Sequence, residues 1–149
     1  MKRREHAAGF TLIEVFIVLA VFGILAGLAS WGLAGLRQRE AVDSSVFTLQ
    51  QDINRIRTEA TKDGDSHRLT VLSGSQYALA RRSGATWVTQ ATKTLSSGVA
   101  FVAPYTNYTV EFDSRGFATF SPAGLTFRVS DGTTTKSVMP AMSGISRVW

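Results

Sequence analysis

An unbroken run of 22 residues without a charge, Val15 to Leu36, leaves this chain few ways to fold. As a helix rising about 1.5 Å per residue it extends roughly 33 Å, enough to cross a bilayer core of about 30 Å. A membrane-spanning helix is the default expectation. Lys2, Arg3 and Arg4 precede the run, so the positive-inside tendency places that end in the cytoplasm and the rest outside it.

Past Leu36 the pattern changes without a break. Val42, Val46, Leu49, Ile53, Ile56 and Ala60 are spaced 4, 3, 4, 3 and 4, while Arg39, Asp43, Asp52, Arg55 and Glu59 fall on other faces. This is the stripe of an amphipathic helix. Asp63-Gly64 provides the stop, because glycine tolerates the left-handed conformation that ends helices. One helix of 53 residues is predicted from Phe10 to Lys62.

Beyond Gly64 the period falls to two. Residues 68–72, 76–82, 86–90, 99–103, 108–113, 117–120, 125–130 and 135–139 read as short strands, rich in β-branched and aromatic side chains. Glycine-bearing turns such as Ser73-Gly74, Ser97-Gly98 and Asp131-Gly132 separate them. The expectation is an α+β chain. One antiparallel sheet of residues 65–149 packs on the amphipathic helix half, residues 37–64, and the apolar half, residues 10–36, projects as a stalk. Trp149 ends the chain on an apolar residue, which points to a C-terminal strand.

Composition removes several functions. The chain has no cysteine, which excludes a disulfide framework, a thiolate metal site and a cysteine nucleophile. Its two histidines are His6 in the charged head and His67, read as a turn residue beside Asp65 and Ser66. A Ser, a His and an Asp within three residues cannot converge as a triad. No phosphate loop or paired-histidine metal spacing appears. Glu111 and Asp113 share a strand face that reads as a solvated edge, and Asn107-Tyr108-Thr109 fits a glycosylation acceptor. No enzymatic role and no cofactor or metal are expected. The formal charge of +5 includes +2 from Lys2, Arg3 and Arg4 against Glu5, so the rest is only mildly basic.

The residues Gly9-Phe10-Thr11-Leu12-Ile13-Glu14, behind a short basic head, resemble the processing site of type IV pilins and type II secretion pseudopilins. The resemblance implies that prepilin peptidase, a membrane aspartic protease, cuts after Gly9 and that the new N-terminal Phe10 is N-methylated. Residues 1–9 are then a cleaved leader, and the fold is the pilin fold. The protein would wait in the inner membrane, its globular part outside the cytoplasm, and pack with other pilins or pseudopilins into a periplasmic or extracellular helical filament. An ionised carboxylate in a membrane helix costs about 2.5 to 3.5 kcal/mol on insertion scales. Glu14 therefore asks for a partner, and cleavage creates one, the Phe10 amine of a neighbouring subunit. Two other readings stay open: an interfacial acid in an ordinary signal anchor, and a secretory signal peptide cut near Ala26 or Ala29. Gly23 and Gly27 form a small-xxx-small pair for close helix packing, or reflect the frequency of glycine in membrane helices. Trp31 stands where many family members carry proline, so either Gly32 and Gly35 supply flexibility or the helix continues.

Arg57-Thr58-Glu59-Ala60 and Ser143-Gly144-Ile145-Ser146-Arg147 resemble the H-type pseudopilin (GspH) and FimT group of minor pilins. Some members of that group bind double-stranded DNA through a C-terminal Gly-Arg-x-Arg element in natural transformation. Gly144 and Arg147 match it, and Ile145 replaces the first arginine. Arg68, Arg81, Arg82, Lys93, Arg128, Lys136 and Arg147 either join as a basic patch for phosphates or remain solvated charges on strand edges.

Overall fold

A computed structural model describes residues 11–105, 107–140 and 147–148. The chain divides into two compact units, Met1–Arg37 and Gln38–Trp149. Helix α1, Leu12–Asp63, contributes to both. The strands of the second unit are β1 His67–Val71, β2 Gln76–Ser83, β3 Thr86–Thr94, β4 Ala100–Phe101, β5 Thr109–Phe112, β6 Ala118–Ser121, β7 Phe127–Ser130, β8 Thr135–Met139 and β9 Arg147–Val148.

Helix α1 opens on Thr11 and closes on Gly64, whose φ of 74° and N–H bond of 3.1 Å to the Ala60 carbonyl make the C-terminal cap. Trp31, Gly32 and Gly35 are all helical. The expected membrane span includes residues 29–34 and 36, whose side chains lie outside the described ones. Among the described residues no helix is long and apolar enough to cross a membrane.

In the second unit Val42, Val46, Leu49, Ile53, Ile56 and Ala60 are each at most 3% exposed. They pack with Leu69, Val71, Tyr77, Leu79, Val110 and Phe112, and with Phe101, Phe127, Val129 and Val138. The single expected sheet is in fact two, both antiparallel: β3-β2-β1-β5-β6 and β4-β7-β8-β9. Pro122, without an N–H to donate, follows β6 directly, and the chain then pairs with β4 through β7 instead of extending the first sheet. Tyr77 of the first sheet meets Phe101 of the second edge-on at 6.2 Å between centroids.

Strand bounds differ from the sequence expectation where periodicity was broken. β3 continues to Thr94 because its register shifts opposite Leu79 and Ala80, so the alternation is interrupted at Gln90 while pairing goes on. β4 keeps two residues of the five expected, and β7 begins at Phe127, two residues later than predicted. β9 adds a strand at the C-terminal end and pairs with β8; Trp149 lies outside the described residues.

His67 corrects the turn assignment. It opens β1 and is fully buried, with Nδ1 3.8 Å from Glu59 and Nε2 3.6 Å from Asp63. The cause is alternation: His67, Leu69 and Val71 share the inward face of β1, and the last turns of α1 cover it. Asp113 follows the last residue of β5, one position short of the strand expected there, and begins a turn. Its Oδ1 accepts the N–H groups of Arg115 and Phe117, both at 2.9 Å. Asp131 accepts those of Thr134 at 2.6 Å and Thr133 at 2.8 Å. The Phe117 and Thr134 amides respectively are the main reason both carboxyls sit below the usual aspartate range.

Within the core Asp52 is 3% exposed and satisfied twice, by the Tyr77 hydroxyl at 2.6 Å and Lys93 Nζ at 2.6 Å. Burial, then the bond to Asp52, raises the Tyr77 pKa, so the phenol stays a donor. Asp52→Ala leaves the Tyr77 hydroxyl buried without a partner and is expected to cost about 2 to 4 kcal/mol, with Asp52→Asn costing less. Urea unfolding of the two variants tests the order. Gly116 has a φ of 79°, and a Cβ there would stand 2.9 Å from the Thr61 methyl, whereas one at Gly84, φ 60°, meets nothing within 4 Å. Gly116→Ala should therefore cost about 2 kcal/mol and Gly84→Ala about 1 kcal/mol, read as a difference in thermal midpoint. Because both aspartates are depressed in the folded state, their stabilisation is complete above the unfolded value of about 3.9 and is lost as pH falls through the folded value. Replacing Asp113 and Asp131 by Asn is expected to make the loss of stability below about pH 4 shallower.

Candidate assembly motif at the N-terminal helix

The residues that carry the processing-site resemblance open α1. Gly9 and Phe10 lie outside the described residues; Thr11 to Glu14 do not. Glu14 Oε2 accepts the Thr11 N–H at 3.1 Å and the Thr11 hydroxyl at 3.0 Å, and the Glu14 N–H reaches Thr11 Oγ1 at 3.4 Å. This reciprocal arrangement is a capping box, in which the first and fourth residues of Thr-Leu-Ile-Glu satisfy backbone donors that a helix start leaves open. The pattern Ser/Thr-x-x-Glu before an apolar run announces it in the sequence. The carboxylate also lies at the positive end of the helix dipole. Both bonds from Thr11 end on Oε2, and among the described residues no donor reaches Oε1.

From Thr11 to Leu28 every residue is exposed. Leu12 is 74%, Phe22 65% and Leu28 66% exposed. Gly23 and Gly27 stand in this surface, and a Cβ at either would meet nothing within 4 Å, so no close approach among the described residues requires them. Apolar area of this extent left open to water is what a lipid or helical partner removes.

The basic residues considered for DNA fall into different settings. Arg81 and Arg82 belong to β2 in the first sheet, Arg128 to β7 and Arg147 to β9 in the second, and the Arg147 side chain is outside the described ones. Arg81 is bound by Asp65 at 2.6 Å, a bond that raises its pKa further. Lys93 is held by Asp52 and Lys136 by Asp43. The Arg68 guanidinium lies 4.2 Å from the Trp87 ring centroid, and Arg82 Nε bonds the Gly84 carbonyl. Asn107 is exposed in a turn at φ 65°, while Thr109 of the same tripeptide shares a hydrogen bond with Thr70.

Comparison with known proteins fits this arrangement. Residues 4–30 match the family model of the prokaryotic N-terminal methylation motif. The fold is similar to that of EpsH, a minor pseudopilin of the Type 2 Secretion System of Vibrio cholerae, at 15% identity and a TM-score of 0.55, covering 72% of this chain and 95% of that one. It is also similar to the type IV minor pilin FimU of Pseudomonas aeruginosa, at 12% identity and a TM-score of 0.59, covering 76% and 92% of the two chains. The chain opens on a prokaryotic N-terminal methylation motif and has the fold of minor pilins and pseudopilins. No curated protein matches its sequence.

The capping box of Thr11 and Glu14 lies within the stretch that matches the methylation motif. Thr11→Ala removes the cap and is expected to destabilise the first helical turn by about 1 kcal/mol, with Thr11→Ser nearly neutral. Amide exchange at residues 13–15 checks this; equal protection in both variants contradicts the cap.

Proposed function

We propose that this protein is a subunit, of the minor pilin or pseudopilin kind, of a type IV pilus or type II secretion filament. Prepilin peptidase cuts it after Gly9, Phe10 is N-methylated, and the apolar part of α1 first lies in the inner membrane and then packs between subunits. The observation that carries this reading is a chain whose residues 4–30 match a methylation motif and whose helix α1, in its later half, forms the wall of a β unit similar in fold to minor pilins. The exposed surface from Leu12 to Leu28 supports it, because a chain of this kind gains by placing that surface in lipid or among like helices.

Glu14 has a defined task in this reading. With Oε2 held by its own cap, Oε1 accepts the amine of Phe10 from a neighbouring subunit, in surroundings where little water screens the attraction. That contact sets the axial register of the incoming subunit. No catalytic step is proposed.

Mass spectrometry of protein recovered from cells should find a chain that begins at Phe10 and carries one extra methyl group. A start near Gly27 or Ser30 sinks the assignment. Glu14→Ala is expected to be processed normally yet to fall at least about tenfold in sheared or secreted filaments, the size of one lost charged contact. Incorporation at the parental level would remove Glu14 from the register.

A further inference from the structure

Two sheets give four outer strands, and three of them are blunted or short. β6 has four residues and runs straight into Pro122, which has no N–H to offer. β4 has its outer side occupied, since the Phe101 N–H bonds the Gly74 carbonyl at 2.6 Å. β9 has two described residues. β3 is different. It is the longest strand at nine residues, contains no proline, and bears one charge, Lys93, which is turned to Asp52. Among the described residues its backbone bonds to β2 and to nothing on its outer side. A row of N–H and C=O groups at the strand repeat is matched by another extended polypeptide.

The order of side chains along β3 identifies which polypeptide. Pairing with β2 puts Trp87, Thr89, Thr92 and Thr94 on the face away from the core, opposite Arg82, Ala80, Ala78 and Gln76. Val88, Ala91 and Lys93 lie on the other face, opposite Arg81, Leu79 and Tyr77. A two-fold axis between Gln90 and Ala91 sets Thr94 against Trp87, Lys93 against Val88 and Thr92 against Thr89 of a second strand of the same sequence. Every one of these pairs joins residues of one face. None opposes like charges, and aromatic–Thr and Thr–Thr neighbours stabilise antiparallel pairs. The register shift that hides Gln90 from β2 falls on the axis and leaves a regular stretch on either side. β3 is thus complementary to itself.

We propose that β3 is a self-association edge through which two copies of this chain pair antiparallel. An isologous two-fold contact closes on itself, whereas a helical filament needs a head-to-tail contact. Pairing through β3 therefore belongs to the protein before it is assembled, and it stands or falls separately from the processing of the N-terminus.

The chain has no cysteine, so introduced thiols report alone. The full-length protein in its membrane, carrying Thr89→Cys and Thr92→Cys, both exposed positions, is oxidised and run without reductant. A disulfide-linked dimer is expected, and it should be absent from the Thr119→Cys variant on the exposed outer face of β6. Adding Val88→Lys, which sets a second positive charge against Lys93 of the other copy at a half-exposed position, should abolish the dimer while the circular dichroism spectrum is kept. Equal cross-linking from β6, no dimer from β3, a dimer that survives Val88→Lys, or capture of a different protein by the β3 thiols would each overturn self-pairing.

Discussion

The second unit depends on burial of one helical stripe. Its strands are mostly four or five residues long and are split between two sheets, so neither sheet encloses a core by itself. Val42 to Ala60 supply the missing wall, touching Leu69 and Val110 of one sheet and Phe127 and Val138 of the other. The polar features around the stripe fit this burial. Asp52 faces inward because Tyr77 and Lys93 satisfy it, and the Ser45 hydroxyl accepts the Ser96 N–H at 3.1 Å. Arg57 bonds the carbonyl of Gly116, whose loop lies against Thr61 and Arg57 of the helix.

How much of this was legible in the sequence follows from how local each signal is. The stripe at spacings of 4 and 3, and all eight expected strands, rest on periodicity within one element and are present. The partition into two sheets is set by which strands meet after Pro122, a long-range choice that periodicity does not encode. β3 looked short because a bulged residue inverts the alternation, although pairing resumes beyond it. His67 was misplaced for a related reason. A histidine next to Asp65 and Ser66 has turn-like neighbours, and its burial comes from Glu59 and Asp63 on another element.

Charge was legible as a sum and not as a map. The excess of basic residues is real, yet Arg81, Lys93 and Lys136 are each held by a carboxylate, and Arg68 lies on an indole ring. Charges engaged in this way offer less to a phosphate backbone than their number implies, because a new contact must displace an existing one. The weight of the functional reading therefore rests on the N-terminal helix.

There the sequence motif carries two meanings. Thr-Leu-Ile-Glu lies in the stretch that matches the methylation motif and is also a helix cap, and under the proposed function the two uses help each other physically. A carboxylate that accepts Thr11 N–H and O–H is already partly neutralised before any partner arrives, so placing it in an apolar setting costs less than for an isolated acid. The cap also holds the Glu14 side chain against Thr11, so in the proposed assembly a free amine approaching Oε1 would find an acceptor whose direction is set by its own helix. A glutamate at this position without the threonine would be as charged but less well aimed, and the difference would appear in the precision of subunit register more than in the strength of attraction.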